Sequence, residues 1–165
     1  MEPYLKNLDV WCWKYRENVK NYPGLHLTAT ADACDALLRC LQTLRQEGHG
    51  AERSVPLRPL AKADEAKITG GQPYVSFSTL RLIYRDATPE LRRLHVCEAA
   101  EVALIEFTEE ALHRLRRGIE DVKEGHGDYS IGPPNVRKEL RALGEKDRAS
   151  ASLWFWPCFG HLWPV

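Results

Sequence analysis

Apolar residues recur along the chain at two periods, and the switches between them mark its elements. Cys34, Leu37, Leu38, Leu41 and Leu44 fall three or four apart, which places them on one stripe of a helix. Thr30 or Asp32 can cap this helix, and Gly48 ends it. Leu112, Leu115, Ile119 and Val122 form a second stripe. Thr108 caps it, Glu109 and Glu110 sit near its positive end, and Gly125 follows its last turn. The first segment carries Tyr4, Leu8, Trp11, Tyr15, Val19 and Tyr22 at similar spacing, which predicts a third amphipathic helix stopped by Pro23-Gly24. Trp11, Trp13 and Tyr15 also alternate, and aromatics favour strands, so a strand is the rival reading of that segment.

Period two governs the remainder. Leu25 to Ala29 reads as a short strand. Ser54 to Leu60 reads as an edge strand, because Pro56 and Pro59 donate nothing to a ladder. Lys62 to Gly71 shows neither period and is expected to be an exposed loop. Tyr74 to Arg85 alternates throughout, and turns separate it from Leu91–Cys97 and Val102–Phe107, which together predict an antiparallel meander. Thr88-Pro89-Glu90 is also a good helix start, and heptad-spaced apolar residues follow it. Glu98, Glu101 and Thr108 interrupt that seam, which favours the strands. Pro133-Pro134 precedes a short polar helix over 135–143, and Leu153 to Pro157 is too apolar for a free tail and predicts a strand buried against the sheet. The sum is an α+β domain over 1–165: an antiparallel sheet of four to six strands with two or three helices packed on one face.

Composition adds bounds. The 165 residues are 44% hydrophobic and 28% charged, an ordinary globular mix. Lys plus Arg and Asp plus Glu both number 23, so the net charge is zero. Partners such as nucleic acid or an anionic membrane usually demand a basic excess, and neither is expected here. Near-zero charge also leaves little repulsion between copies of the chain. The start, Met1-Glu2-Pro3-Tyr4, lacks a signal-peptide pattern, and the five cysteines cannot all pair within one chain. Reduced thiols in a cytoplasmic protein are the expectation.

Several residue groups have the types that chemistry requires. Cys158 and His161 have the spacing of a zinc half-site, and His95 and Cys97, two apart on a strand, could supply the other half. The Gly125–Ser130 loop offers His126, Asp128 and Ser130: an imidazole suited to proton transfer near neutrality, a carboxylate and a hydroxyl. Gly125 as a helix end, and Asp and Ser as turn residues, explain that loop structurally as well. Glu110-Ala-Leu-His113 matches one half of a di-metal carboxylate motif, but the required second copy is missing from the sequence. No nucleophile elbow, Cys-x-x-Cys pair or phosphate-cradling glycine loop occurs, and no cofactor is implied. Cys34 and Cys40 lie on or beside a buried stripe and Cys12 among aromatics, which predicts inert thiols.

Aromatic residues concentrate at the two ends. Trp11 and Trp13 stand near the start, and Trp154, Trp156, Phe159 and Trp163 near the finish. Trp154 and Trp156 would share one face of a strand, with Phe155 on the other. Such a strand is either covered on both sides within the domain or turned toward a partner, and tryptophan is favoured in interfaces. The leading functional expectation is a non-catalytic protein-binding or regulatory domain whose partner is another protein or a second copy of the chain. The alternative is a small enzyme or a metal- or ligand-binding protein using the His126 loop or the His95/Cys97/Cys158/His161 set.

Overall fold

Two β-sheets share one layer of helix. The computed structural model describes residues 2–17, 20–89, 91, 94–131 and 151–157. After a 3-10 turn at Pro3–Leu5, the chain forms β1 (Val10–Tyr15), β2 (Leu25–Ala29), α1 (Ala31–Glu47), β3 (Glu52–Pro56) and α2 (Lys62–Thr69). It continues through β4 (Tyr74–Ser76), β5 (Thr79–Tyr84), β6 (Leu94–Ala99) and β7 (Val102–Phe107). It ends with α3 (Glu109–Glu124), β8 (Tyr129–Ile131) and β9 (Leu153–Phe155). The first sheet has the order β4-β1-β2-β9-β8 and the second β3-β5-β7-β6. Pairing is antiparallel except between β2 and β9 and between β5 and β7. The architecture is α+β, as the hydrophobic pattern predicts.

The two long helices form where their stripes predict. α1 buries Cys34, Leu37, Leu41 and Leu44, and α3 buries Leu112, Leu115, Ile119 and Val122. Both start at a threonine in extended conformation, and neither threonine hydroxyl makes the capping hydrogen bond. These stripes meet the inner faces of both sheets in one continuous core, with Leu27 and Phe155 from the first sheet and Leu80 and Ile105 from the second. The contact between α3 and β9 is close. A Cβ on Gly118 would stand 2.2 Å from the ring of Phe155, so glycine is required in mid-helix to let that ring lie against the backbone. Lys14 of β1 pairs with Glu98 of β6 and ties one sheet to the other.

Four expectations need correction. The segment predicted as the first helix is β1: Val10 and Cys12 turn to the core while Trp11, Trp13 and Tyr15 line the opposite face. The alternation, not the three-and-four spacing, carried the signal. Lys62–Gly71 is not an exposed loop, because α2 occupies Lys62–Thr69. Its only buried side chains are Ile68 and Thr69, too few to generate a helical stripe in the sequence. The run from Tyr74 to Arg85 is divided between the sheets as β4 and β5. The break falls at Phe77 and Ser78, whose backbone N–H groups donate to Cys12 and Glu101 carbonyls 3.0 and 2.9 Å away. The meander is reordered: β5 lies parallel to β7, and β6 is displaced to the edge. Period-two patterning identifies strands but not their neighbours. The polar helix expected over 135–143 lies outside the described residues.

Candidate functional site

The outer face of the first sheet holds an aromatic cluster built by strand register. Ser76, Trp13, His26, Trp154 and Ser130 stand directly opposite one another on five successive strands. This row puts the imidazole of His26 between two indoles. Its ring stacks on Trp13 at 4.3 Å and 17°, and on Trp154 at 5.8 Å and 9°. Tyr15 and Trp156 present edges to the same imidazole at 5.2 and 5.4 Å, and Tyr22 closes another side at 6.3 Å. The pattern arises because β2 alternates: Leu25, Leu27 and Ala29 enter the core, so His26 and Thr28 face outward beneath the rings.

His26 is fully buried, and neither of its ring nitrogens has a hydrogen-bond partner. Burial pushes its pKa down to about 3; the backbones of Trp13 and Gly24 lie near enough to oppose this weakly, without hydrogen-bond geometry. The indole faces also favour a cation over them, which offsets a further part of the penalty. His26 is therefore neutral at pH 7. The indole nitrogens of Trp13 and Trp156 and the Thr28 hydroxyl are likewise buried without a partner. The rim is tied down instead: Trp154 Nε1 donates to the Pro23 carbonyl at 2.8 Å, Tyr15 to Thr69 at 3.1 Å, and Tyr74 to Glu65 at 2.6 Å. Trp11, Tyr22, Tyr74, Trp154 and Trp156 are each half-buried, so the cluster has a solvent-facing edge.

The residues singled out from the sequence fall elsewhere, apart from the tryptophans. His95 and Cys97 lie half-buried on the edge strand β6, where His95 Nδ1 is 3.4 Å from Glu106. Burial raises the Cys97 pKa, with Glu106 and Glu98 adding to the effect. Cys158, His161, Phe159 and Trp163 lie outside the described residues. His126 and Asp128 are exposed and Ser130 is half-buried in β8; His126 Nδ1 lies 3.9 Å from Glu124. Glu110 and His113 are exposed on α3. Cys12 and Cys40 are buried thiols pushed up to about 12 and about 11, chiefly by burial, as their positions among apolar residues predict.

Two other groupings have chemical potential on paper. Asp121, Glu124 and His126 bring ligand atoms within 4.8 Å of one another. Asp121 is already engaged, accepting from Tyr129 at 2.6 Å and pairing with Arg117 at 3.2 Å. An open groove of about 420 Å3 lies along α3, lined by Arg45, His113, Arg116 and Glu120 among others. Its arginines are paired with Glu109, Glu120 and Asp121.

Sequence reasoning passed over His26, Trp13 and Tyr22 as site residues. The signal was a polar residue at mid-strand in an apolar run, and reading β1 as a strand would have set Trp13 beside it. Comparison with family models, curated proteins and solved structures finds no match for this chain. Among the described residues, no helix is long and apolar enough to cross a membrane.

Proposed function

We propose that this domain is a non-catalytic protein-binding module whose working surface is the aromatic rim of the five-stranded sheet. One observation carries the reading: Trp154 and Trp156 are both half-exposed, on the same side of the molecule as half-buried Tyr22, in a mutually packed ring cluster. Such residues bury large area at low entropic cost, and tryptophan and tyrosine dominate the energetics of protein interfaces. Trp154 is held in β9, which is clamped between β2 and β8, and the Trp156 N–H donates to the Leu27 carbonyl at 2.9 Å, so this part of the rim is preorganised.

The test is co-expression with the products of the flanking genes, one at a time, alongside light scattering of the chain alone. A stoichiometric complex, or a dimer, is expected to weaken about tenfold or more on Trp154→Ala or Tyr22→Ala. A complex indifferent to both substitutions overturns the reading, as does a chain that stays monomeric and binds none of those products.

A further inference from the structure

The inner part of the aromatic cluster supports an inference that goes beyond the partner-binding rim. Five buried polar atoms there meet no partner: Trp13 Nε1, Trp156 Nε1, both His26 nitrogens and Thr28 Oγ1. Their rings lie close together, with Trp13, His26 and Trp156 centroids 4.3 to 6.0 Å apart, and Thr28 is two residues from His26 on the same strand face. A buried polar group left unpaired forfeits the hydrogen bonds it made to water, which is a large loss for a marginally stable domain. Native interiors satisfy such atoms with water or a ligand.

The chemistry of these atoms defines what would satisfy them. Indole N–H groups only donate, a neutral imidazole donates once and accepts once, and a threonine hydroxyl does either. The set is therefore rich in donors and calls for an acceptor. Its walls are neutral aromatic rings, so a charged guest would lose its hydration there, and the Glu65 carboxylate at its edge is already engaged by Tyr74. A small uncharged molecule bearing a carbonyl fits both conditions.

α2 covers this cluster and is held to it by two side-chain hydrogen bonds, from Tyr15 to the Thr69 carbonyl at 3.1 Å and from Tyr74 to Glu65 at 2.6 Å. Leu60 and Ile68 pack on Trp13 and Tyr15 from the segment that carries α2. That helix buries only Ile68 and Thr69 and ends at Gly70-Gly71. Both glycines have left-handed backbone, at φ +66° and +75°, a joint with wide conformational freedom. Breaking those two hydrogen bonds and swinging α2 about this joint would take Ile68 out of the cluster it shares with Trp13 and Tyr15.

We propose that the cluster beneath α2 is a binding site for a small uncharged carbonyl compound, held by the indole N–H groups of Trp13 and Trp156 and by His26. The probe is 2-pyrrolidinone, a compact cyclic amide, with cyclopentane as its hydrocarbon counterpart. The readout is the pair of indole N–H resonances of Trp13 and Trp156 in the full chain. Both are expected to shift saturably with 2-pyrrolidinone and to bind cyclopentane about tenfold more weakly. Thr28→Val and His26→Leu are each expected to weaken the amide and leave cyclopentane unchanged. Thr28→Val preserves side-chain shape and carries the test alone if His26→Leu does not fold. Absence of a saturable shift, equal affinity for the two probes, or bound water that the amide fails to displace overturns the proposal.

Discussion

Each sheet carries one row of outward residues that includes a histidine, and the two rows solve the problem of a half-covered face in opposite ways. In the second sheet, Glu52, Ile83, Glu106 and His95 stand opposite one another across four strands. Glu106 meets Arg85 at 3.1 Å and His95 at 3.4 Å, and Glu52 meets Arg81 at 2.7 Å. In the first sheet, the row places His26 between Trp13 and Trp154, with no carboxylate in register beside it. A histidine paired with a carboxylate at a partly wet surface is ordinary sheet chemistry. A histidine sealed among rings without a hydrogen bond lowers stability, and a domain retains such an arrangement only where other contacts over-determine it. The contrast separates a row whose charged groups pair with one another from a row whose polar atoms are sealed among rings.

Acid should break the comparison most strongly. Unfolded, His26 titrates near 6.5, whereas in the fold its pKa is about 3. Below 6.5 the unfolded chain therefore binds a proton that the folded chain refuses. The His26 contribution is complete above pH 6.5 and declines as pH falls toward 3. At about 1.4 kcal/mol per unit, the loss reaches about 3 kcal/mol by pH 4, less whatever the indole faces return to the imidazolium. Tyr15, whose pKa burial raises, stays neutral throughout this range. Urea unfolding of the native chain and of His26→Leu at intervals from pH 7.5 to 4 measures the slope. His26→Leu should flatten it, and His95→Gln on the other sheet should leave it largely intact. Equal slopes in the native chain and His26→Leu would show that the imidazole is not the buried acid-sensitive group.

The next effect concerns what holds the aromatic face in place. Phe155 is fully buried, and its ring occupies the position that a Gly118 Cβ would need, at 2.2 Å. Alanine gains about 1 kcal/mol of helix propensity over glycine, but overpacking a core around this fully buried ring costs about 1–3 kcal/mol. Gly118→Ala is expected to destabilise by about 2 kcal/mol net and to loosen β9, exposing Trp154 on the opposite face. Denaturant midpoints give the first quantity, and acrylamide quenching of tryptophan fluorescence gives the second. A stabilised variant would show that α3 and β9 are not in close contact there.

A smaller effect has the opposite sign. Thr28 is fully buried and its hydroxyl meets no partner. Thr28→Val keeps the shape and removes the orphaned group, so the free chain should gain about 1 kcal/mol by urea unfolding. A loss of similar size would mean that the hydroxyl is hydrogen-bonded in solution.

The long helices were legible because each supplies four or more core residues at one period, and β7 was legible as a short apolar run that ends at a helix start. The sequence misled wherever an element owes its form to something distant. β1 carries apolar residues on both faces, so its pattern satisfies a helix and a strand at once. α2 rests on a single isoleucine and a threonine, and β6 takes its edge place from a hairpin with β7 whose orientation no local spacing records. The site was hidden for the same reason. His26, Trp13 and Trp154 are far apart in the chain and become neighbours only through the pairing of β1, β2 and β9. Trp154 and Trp156 were visible as an aromatic excess, but the histidine they surround was one unremarked polar residue in a five-residue strand.

The weakest perturbation tests the charged row of the second sheet. Glu106 keeps a fifth of its side chain exposed, and its partners Arg85 and His95 are about a third exposed. Ion pairs at such positions contribute about 0–1 kcal/mol, because water already solvates both charges and salt screens what remains. Glu106→Gln preserves shape and a hydrogen-bond acceptor while removing the charge. It is expected to shift stability by less than about 1 kcal/mol, and the shift should shrink further in 0.5 M salt. Measured against His26→Leu at pH 4 and pH 7, it isolates what burial adds to a histidine. If Glu106→Gln proved as costly as acidification, the charged row would be as dry as the aromatic one, and the distinction between the two faces would fail.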